Sequence, residues 1–213
     1  QFFASGEADV GSVFNTIHQQ LAPGFQPQRA LDFGCGVGRI AIPLARRVES
    51  VVAVDVSPSM LSEAAKNADE AGITNVEWVR SDDELTGLSG FFDLVHSYIV
   101  FQHIEPKRGE RILQHMLDKL AKGGIGVTHF TFSNRLPPLK RAGQWVARTI
   151  PMAHNLANLA RGRSFSYPLM RMNQYDLNRI IGMLADAGCK RVFSLFQDHG
   201  GHYSVVLFFQ KEP

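Results

Sequence analysis

The chain has 213 residues, of which 45% are hydrophobic and 20% charged, and its formal net charge is +2. This composition is typical of one globular domain, so we expect residues 1–213 to form a single domain. The sequence contains no run of the ~18 apolar residues that a membrane span needs, and no signal-peptide pattern opens it. Its two cysteines exclude a disulfide scaffold and, without a CxxC pair, leave no metal site to propose. These features predict a reducing, cytoplasmic location.

The periodicity of apolar residues alternates between helical and strand patterns along the chain. The elements it predicts up to residue 132 are a helix over Val10–Leu21, a strand over Ala30–Phe33, a helix over Val37–Val48, a strand over Ser50–Val54, a helix capped by Ser57 that begins at Pro58, ends at Glu70 and stops at Gly72, strands over Val76–Val79 and Phe92–Ser97, a helix over Lys107–Leu120 ended by Gly123 and Gly124, and a strand over Ile125–Phe132.

The pattern changes near the end of the chain. Asn173 is predicted to cap a helix that runs through Ala187, and Gly188 stops it. Two strands follow, Lys190–Phe196 and Tyr203–Phe209, and the short join QDHGGH between them permits only antiparallel pairing. The predicted fold is therefore α/β: a doubly wound, mostly parallel seven-stranded sheet with an antiparallel last strand, helices on both faces, and a helical insertion after strand five.

The segment 30–40 reads ALDFGCGVGRI and predicts a ligand cradle. Gly34, Gly36 and Gly38 follow a buried strand, and a side chain at these positions would fill the ligand's space and disfavour positive φ angles. The helix predicted from Val37 would direct its free N–H groups toward an anion. Asp55, 21 residues after Gly34, ends the second strand, where a carboxylate can accept the protons of both ribose hydroxyls.

The spacing of these glycines distinguishes between nucleotide cofactors. A dinucleotide fingerprint needs its third glycine at position 39, where this chain has Arg39, and this disfavours NAD and FAD. The run GCGVG instead resembles the first motif of class I S-adenosylmethionine-dependent methyltransferases. The antiparallel last strand is also the arrangement of that family. The resemblance covers about residues 30–132 and 173–210 and leaves Ser133–Met172 outside it.

The resemblance implies which residues bind S-adenosyl-L-methionine. Asp32 would support the amino group of the cofactor and Asp55 its ribose, while Val56 and Met60 would lie against adenine. Asp82, or Asp83 one residue later, would hold the adenine amino group. The full set of cofactor-binding residues that it predicts is Asp32, Gly34, Cys35, Gly36, Gly38, Asp55, Val56, Met60, Ser81, Asp82, Asp83 and Ser97.

The segment FDLVHSYIVFQHI, over 92–104, resembles the fourth motif of the family. Methyl transfer from a sulfonium is a direct displacement, so the protein needs to align and desolvate the reacting groups and forms no covalent intermediate. A base helps when the acceptor is a hydroxyl or a protonated amine. Its predicted candidates are His103 and Tyr98, with His129 as a further one, whereas His96 is expected in the core and His199 and His202 in a turn.

The predicted insertion over 133–172 is too long for an ordinary connection. From Lys119 to Tyr175 the chain has no Asp or Glu and nine Lys and Arg residues. Three interpretations remain open: a lid over a small-molecule acceptor that carries a carboxylate or phosphate, an amphipathic surface that meets anionic lipid and delivers a lipid-like acceptor, and a cap whose arginines are solvated. No RNA-binding module is recognisable, so no nucleic-acid partner is expected.

The sequence thus predicts an enzyme that transfers a methyl group from S-adenosylmethionine to a small molecule. The alternative is a non-catalytic module that binds the cofactor as a sensor or scaffold. A nicotinamide-dependent oxidoreductase on a related fold is disfavoured by Arg39 and by the terminal hairpin.

Overall fold

A computed structural model describes residues 2–136, 162 and 172–213. Within them the chain forms α-helices, one 3₁₀ turn and β-strands. In chain order these elements are α1 Phe2–Gln20, β1 Arg29–Phe33, α2 Ala41–Ala45, β2 Ser50–Asp55, α3 Pro58–Glu70, β3 Val76–Arg80, β4 Phe92–Ser97, the 3₁₀ turn Phe101–His103, α4 Pro106–Lys119, β5 Leu120–Asn134, α5 Leu177–Asp186, β6 Arg191–Asp198 and β7 His202–Gln210.

The strands form one seven-stranded sheet in the order β3-β2-β1-β4-β5-β7-β6. Neighbours among β1 to β5 pair in parallel, and β7 is antiparallel to both β5 and β6. The predicted mixed sheet is therefore confirmed. Strands β2 and β3 are added on one side of β1, and β4 and β5 on its other side, so the strand order reverses between β1 and β4. Ligands bind such sheets at the carboxyl ends of the strands beside this point.

Helices cover both faces of the sheet, as predicted. On one face α4 and α5 pack on the strands through residues such as Ile112, Met116 and Ile180. On the other face α1 contributes apolar residues at intervals of three or four, which places them on one side of the helix; these are Val10, Phe14, Ile17 and Leu21. The central strands are buried from both sides, which explains the continuous apolar run Val51–Val54 inside β2.

Helix α3 forms as the sequence predicts. The side chain of Ser57 accepts a hydrogen bond from the N–H of Met60 at 3.4 Å, and Pro58 occupies the first helical position. The helix ends at Glu70, and Gly72 follows with φ +68°. This cap places the start of α3 directly after the carboxyl end of β2.

The helix predicted over Val37–Val48 is wrong in its start and its length. Helix α2 covers only Ala41–Ala45, and residues 36–40 form turns. Gly36 and Gly38 have φ angles of +54° and +87°, which an α-helix does not accommodate. The glycines therefore extend the turn by a full helical turn beyond the position that periodicity predicted.

Three other predicted boundaries need correction. Helix α1 begins at Phe2, eight residues before the predicted Val10, and ends at Gln20. Helix α4 ends at Lys119 rather than Leu120, and β5 follows at once, so Gly123 and Gly124 lie inside the irregular first part of that strand. Helix α5 begins at Leu177 with Asp176 as its cap, because the Asp176 carboxylate accepts from the N–H of Asn178 at 2.9 Å. Asn173, the predicted cap, instead donates through its side chain to the carbonyl of Gln102 at 3.2 Å.

Strand β5 continues to Asn134, so the first two residues of the predicted insertion belong to the sheet. Most of the predicted helical insertion over 133–172 lies outside the described residues. None of the helices in the described ranges combines the length and the apolar character that crossing a membrane requires.

Candidate active site

The glycine turn after β1 has the backbone conformation that the sequence predicts. Gly34, Gly36 and Gly38 have φ angles of +76°, +54° and +87°. A Cβ atom on Gly34 would overlap the side chain of Val100, so this glycine permits close packing between the turn and the segment after β4. A Cβ on Gly36 would meet no atom within 4 Å. Gly36 therefore borders open space at the carboxyl edge.

The N–H groups of this turn are used within the protein. Gly34 and Cys35 both donate to the carbonyl of Val54, at 2.8 and 3.0 Å, and Gly38 donates to the carbonyl of Cys35 at 3.0 Å. The prediction that a helix starting near Val37 directs its free N–H groups at an anion is therefore wrong, because the following helix is short and begins at Ala41. The glycines supply space and a tight turn to the site rather than donors.

Asp55 is held in one orientation at the end of β2. One of its carboxylate oxygens accepts from the N–H of Gly36 at 3.0 Å, and the other accepts from the N–H of Ser57 at 2.9 Å. A carboxylate has about four lone-pair positions, so two remain for further donors. The side chain is therefore oriented before a ligand arrives and keeps capacity for two hydroxyl groups.

Asp32 lies in β1, immediately before the turn, and is 2% exposed. Its Oδ1 is 3.1 Å from Nδ1 of His96 in β4, while its Oδ2 is buried without a hydrogen-bond partner. A buried carboxylate oxygen without a donor is unusual and is a feature of sites that a ligand or water completes. His96 lies in the core, as predicted, and it orients Asp32.

The residues after β2 present apolar side chains beside this corner. Val56 and Met60 are 59% and 44% exposed, which is high for apolar residues that flank a carboxylate at a strand end. Ser81, at the end of β3, donates its N–H to the carbonyl of Asp55 at 3.0 Å. The three residues thus border the same corner, on the side away from β4.

The structure separates the two acidic candidates after β3. Asp82 is exposed, and both of its carboxylate oxygens accept from Thr86, one from the N–H at 3.0 Å and one from the hydroxyl. Asp83 makes a two-point ion pair with Arg108 of α4, at 2.6 and 2.7 Å. The hydrogen bonds from Thr86 lower the pKa of Asp82, and those from Arg108 lower the pKa of Asp83. Asp83 is therefore committed to a structural contact, whereas Asp82 is anchored but exposed.

Two other predicted cofactor residues are buried. Cys35 is 6% exposed and packs in the core on the α1 side, and burial, with Asp32 and Asp55 nearby, raises the pKa of its thiol. Ser97 is 1% exposed, and its hydroxyl has no hydrogen-bond partner. Both residues lie at the carboxyl ends of central strands, close to the predicted cradle.

These residues fit S-adenosylmethionine. The open space at Gly36 admits a ligand against the backbone, and a side chain there would fill it. Asp55 suits a ribose because its free lone pairs can accept from two hydroxyls. The unpartnered Oδ2 of Asp32 suits an ammonium group, and the exposed side chains of Val56 and Met60 suit a planar base.

Arg39, which departs from the dinucleotide fingerprint, has a structural role here. Its guanidinium pairs with Asp9 of α1 at 2.5 Å. A Cβ on Gly6 of the same helix would overlap the carbonyl of Arg39, so α1 packs directly on this backbone. Position 39 therefore attaches the N-terminal helix to the end of the turn.

Tyr98 and Ile99 follow β4 directly. Ile99 has φ +61°, a conformation that is strained for a β-branched residue and is found mostly where function requires it. The ring of Tyr98 lies edge to face against His129, with centroids 5.1 Å apart, and its hydroxyl donates to Gln197 at 3.5 Å. Burial raises the pKa of Tyr98, and the negative charge of the nearby Asp9 raises it further by a smaller amount. The side chain is therefore a hydrogen-bond donor near neutral pH.

His103 is exposed at the end of the 3₁₀ turn. Its Nε2 lies 3.1 Å from the amide nitrogen of Gln102, a residue that is 6% exposed. The amide oxygen of Gln102 accepts from the hydroxyl of Thr131 at 3.2 Å. The imidazole is thus oriented by a buried side chain. Of the two predicted catalytic residues, Tyr98 contacts His129 and Gln197, whereas His103 contacts Gln102.

Residues 30–124 match the family model of a methyltransferase domain. This part of the chain is a class I methyltransferase domain. S-adenosylmethionine is the methyl donor of this class, so the predicted family and cofactor are confirmed. Gly36, Asp55 and Asp32 all lie within the matched residues.

Curated relatives of the domain differ in the part of the chain that they match. A mitochondrial ubiquinone biosynthesis O-methyltransferase of Schizosaccharomyces pombe is 29% identical over 165 residues, which cover 75% of this chain and 59% of that protein. Aklanonic acid methyltransferase of a Streptomyces species is 40% identical over 72 residues, covering 32% of this chain and 33% of that protein. The chain therefore matches less than two thirds of the length of these relatives.

A solved structure resembles almost the whole chain. Magnesium protoporphyrin IX methyltransferase from Synechocystis PCC 6803, crystallised with bound S-adenosyl-L-homocysteine (SAH), superposes with a TM-score of 0.67 at 22% identity. The match covers 97% of this chain and 83% of that chain. At this identity the likeness shows that the two chains share the methyltransferase fold.

Sequence reasoning missed Gln197 and placed His199 only in a turn. Both lie where β6 ends and the hairpin turn begins. There Gln197 accepts from the hydroxyl of Tyr98, and the ring of His199 contacts that of His129. The signal in the sequence was the polar join QDHGGH between two apolar strands. Periodicity does not show which edge of the sheet such a turn reaches.

Proposed function

We propose that the protein transfers a methyl group from S-adenosylmethionine to a small-molecule acceptor. The observation that carries the proposal is the corner formed by Gly36 and Asp55. There the backbone borders open space, and a carboxylate is fixed by two N–H groups while it keeps two free lone pairs.

On the cofactor side, each predicted residue has a distinct role. Asp55 accepts from the ribose hydroxyls, and Asp32 accepts from the amino group through its unpartnered oxygen. Val56 and Met60 contact the adenine ring, and Asp82 accepts from its amino group. Asp83 remains with Arg108, so of the two adjacent acids we assign Asp82 to adenine. Gly34, Cys35, Gly38, Ser81 and Ser97 shape the surrounding backbone.

When bound, S-adenosylmethionine supplies a methyl group activated by a positively charged sulfur. The residues after β4 align the acceptor, since direct displacement depends on orientation and on exclusion of water. His103 is the candidate base: the amide N–H of Gln102 donates to its Nε2, so the ring takes the acceptor's proton at Nε2 when this hydrogen bond is released. Tyr98 is a poorer base because its pKa is raised, and it donates a hydrogen bond instead.

A small molecule is the acceptor class that the comparisons favour. Two of the proteins described above are named for small molecules, aklanonic acid and magnesium protoporphyrin IX. The basic segment from Lys119 to Tyr175 favours an acceptor that also carries a carboxylate or phosphate, with 133–172 as its lid. A lipid-like acceptor presented at a membrane surface is the alternative for the same basic segment.

Methyl transfer is tested with isotopically labelled S-adenosylmethionine and fractionated metabolite pools, with the Gly36→Ala variant as the control. We expect label in a small-molecule fraction with the wild-type protein and none with the variant, because the added Cβ occupies the ligand's space. Tight cofactor binding without transfer to any pool would instead favour a binding module. Absence of cofactor binding would contradict both.

A further inference from the structure

His129 is a buried imidazole whose polar atoms are not satisfied. It lies in β5 with 0% exposure, and neither of its ring nitrogens has a hydrogen-bond partner among residues 2–136, 162 and 172–213. A neutral imidazole offers one N–H donor and one acceptor, and leaving both unmade in the interior is costly. By comparison, the buried His96 has Asp32 as its partner at 3.1 Å. Within the described residues, the hydrogen-bonding capacity of His129 is therefore unused, in contrast to that of His96.

Aromatic and polar groups from three elements surround this imidazole. The ring of Tyr98, after β4, lies 5.1 Å from it, and the ring of His199, in the turn between β6 and β7, lies 5.7 Å from it. The side-chain oxygen of Gln197 is shared between the hydroxyl of Tyr98 at 3.5 Å and Nε2 of His199 at 3.2 Å. The cluster Tyr98–His129–Gln197–His199 is therefore connected by ring contacts and hydrogen bonds.

The strand register places this cluster beside the cofactor edge. Asp32 in β1 is level with His96 in β4, and His96 is level with Val127 in β5. Two residues further along each strand direction, Gly34, Tyr98 and His129 are level with one another. Adjacent strands are about 4.8 Å apart, so the backbone of His129 is about 10 Å from the glycine turn, with Tyr98 between them. An acceptor at the cluster would thus lie next to the bound cofactor.

The turn beside His129 has an exposed side chain next to two glycines. His199 is exposed, and the next two residues, Gly200 and Gly201, have φ angles of +68° and +96°. Asp198 fixes the base of the turn by accepting from the N–H of Gly201 at 2.7 Å. An exposed side chain beside two glycines can rotate away at low cost, which would open a path to the imidazole.

The charge state of the imidazole restricts what it can bind. Burial, and to a smaller extent the charge of the nearby His199, lowers the pKa of His129 to about 4, so the imidazole is neutral at physiological pH. A neutral imidazole bonds well to a hydroxyl but does not compensate the desolvation of a carboxylate. Within the described ranges no three His, Cys, Asp or Glu side chains are placed to hold a metal ion, so the cluster is not explained by a metal there.

We propose that the Tyr98–His129–Gln197–His199 cluster is the acceptor subsite and takes an uncharged hydroxyl group carried on a ring. The hydroxyl donates to a ring nitrogen of His129, which in this subsite replaces His103 as the acceptor of that proton. The same hydroxyl accepts from the phenol of Tyr98, and the ligand's ring takes the place that His199 leaves. His199 moves aside to admit it. This inference rests on the proposed function and specifies the acceptor class of the same site.

The test uses phenol as the probe, with the SAH-loaded full chain labelled at its histidine rings. Phenol is titrated while the imidazole resonances are followed by NMR, and the His129→Leu variant identifies the resonances of that ring. We expect saturable shifts of the His129 resonances with phenol. Benzoate should bind about tenfold more weakly, since its carboxylate would be desolvated beside a neutral imidazole. Removing the cover by His199→Ala should tighten phenol binding.

The matched control is His115→Leu, on α4 and outside the cluster, which should leave the phenol response unchanged. His129 resonances that do not respond to phenol in either the wild-type protein or His199→Ala would overturn the proposal, as would benzoate binding as tight as phenol. Calorimetric titration of SAH into the same samples distinguishes failure of the acceptor subsite from failure of the proposed function. SAH binding without a phenol response leaves the proposed function standing and rejects the subsite, whereas no SAH binding rejects the proposed function.

Discussion

The two halves of the carboxyl edge differ in how fully their polar groups are satisfied. At the β1–β2 end, the N–H groups of Gly34, Cys35 and Gly38 are paired with backbone carbonyls and that of Gly36 with Asp55, and Oδ2 of Asp32 is the one buried side-chain oxygen there without a partner among the described residues. At the β4–β5 end, Ser97, Thr128 and His129 all have buried polar atoms without partners in the described part of the chain. The first half is largely bonded within the protein, whereas the second has more bonding capacity left over.

This difference corresponds to the two kinds of ligand that a methyltransferase must bind. The cofactor is the same throughout the class, so its half of the proposed site can be built from backbone geometry and acids at fixed positions after the strands. Acceptors differ among members, and recognition of an acceptor depends on side chains from several elements. The comparison can be tested on each half separately.

The largest expected effect is on the stability of the cofactor half. Gly34→Ala adds a Cβ that overlaps Val100 at a φ of +76°, so we expect a loss of about 2–5 kcal/mol of unfolding free energy. Gly36→Ala also has a positive φ but open space, so its loss should be about 1–2 kcal/mol. Urea denaturation of both variants measures this difference.

The same pair of variants distinguishes packing from ligand space. Gly36→Ala should remain folded and yet lose SAH affinity in calorimetry, because the new Cβ points into the open volume. If Gly36→Ala bound SAH normally, the ligand would not lie at this turn. Equal destabilisation by the two variants would show that the space above Gly36 is not open.

The second effect concerns the acceptor half and depends on pH. Burial lowers the pKa of His129 from 6.5 to about 4 on folding. Between these pH values, His129 is therefore mostly protonated in the unfolded chain and mostly neutral in the folded chain. Stability contributed by this group is therefore present above pH 6.5 and is lost as the pH falls toward 4, by about 3 kcal/mol in total.

Urea denaturation at pH 7 and pH 4.5 measures this loss. The His129→Leu variant should show a smaller decrease in unfolding free energy between the two pH values than the wild-type protein, and His115→Leu should behave as the wild type does. An unchanged decrease in His129→Leu would show that this imidazole is not buried in the neutral form.

A third prediction addresses Asp55, which joins the turn to the ligand. Asp55→Ala should weaken SAH binding by about 1–3 kcal/mol, because the ribose loses its acceptor and the N–H of Gly36 loses its partner. Asp69→Ala, an exposed acid on α3, is the control and should bind normally. Unchanged affinity in Asp55→Ala would place the ribose elsewhere.

The smallest effects separate the two neighbouring acids after β3. Asp82→Ala should weaken SAH binding severalfold if this carboxylate holds the adenine amino group. Asp83→Ala should leave SAH affinity unchanged and cost about 0.5 kcal/mol of stability or less, because its ion pair with Arg108 is exposed. The opposite result in calorimetry would exchange the two assignments.

The fold was predictable because local signals agreed with its global pattern. Ser57 and Pro58 start α3 where the chain leaves β2, and the short join after Asp198 forces an antiparallel hairpin. The largest error in the cofactor region occurred where glycine conformation overrides periodicity. Apolar spacing from Val37 is helical, but Gly38 at φ +87° delays the helix to Ala41.

The cofactor residues were predictable because they follow strands at fixed positions, as Asp55 follows β2. The cluster around His129 was not, since its members lie up to about a hundred positions apart and meet only through the sheet order, as Tyr98 and Gln197 do. The orphaned nitrogens of His129 have no sequence signature, because burial and the lack of a partner are properties of the packed structure.

The measurement that tests the proposed site most directly is calorimetric titration of SAH into the wild-type protein and the Gly36→Ala variant. We expect saturable binding to a single site in the wild type and its loss in a variant that still unfolds cooperatively. Equal binding by both proteins would contradict the placement of the cofactor at the glycine turn, and no binding by the wild type would contradict the proposed function itself.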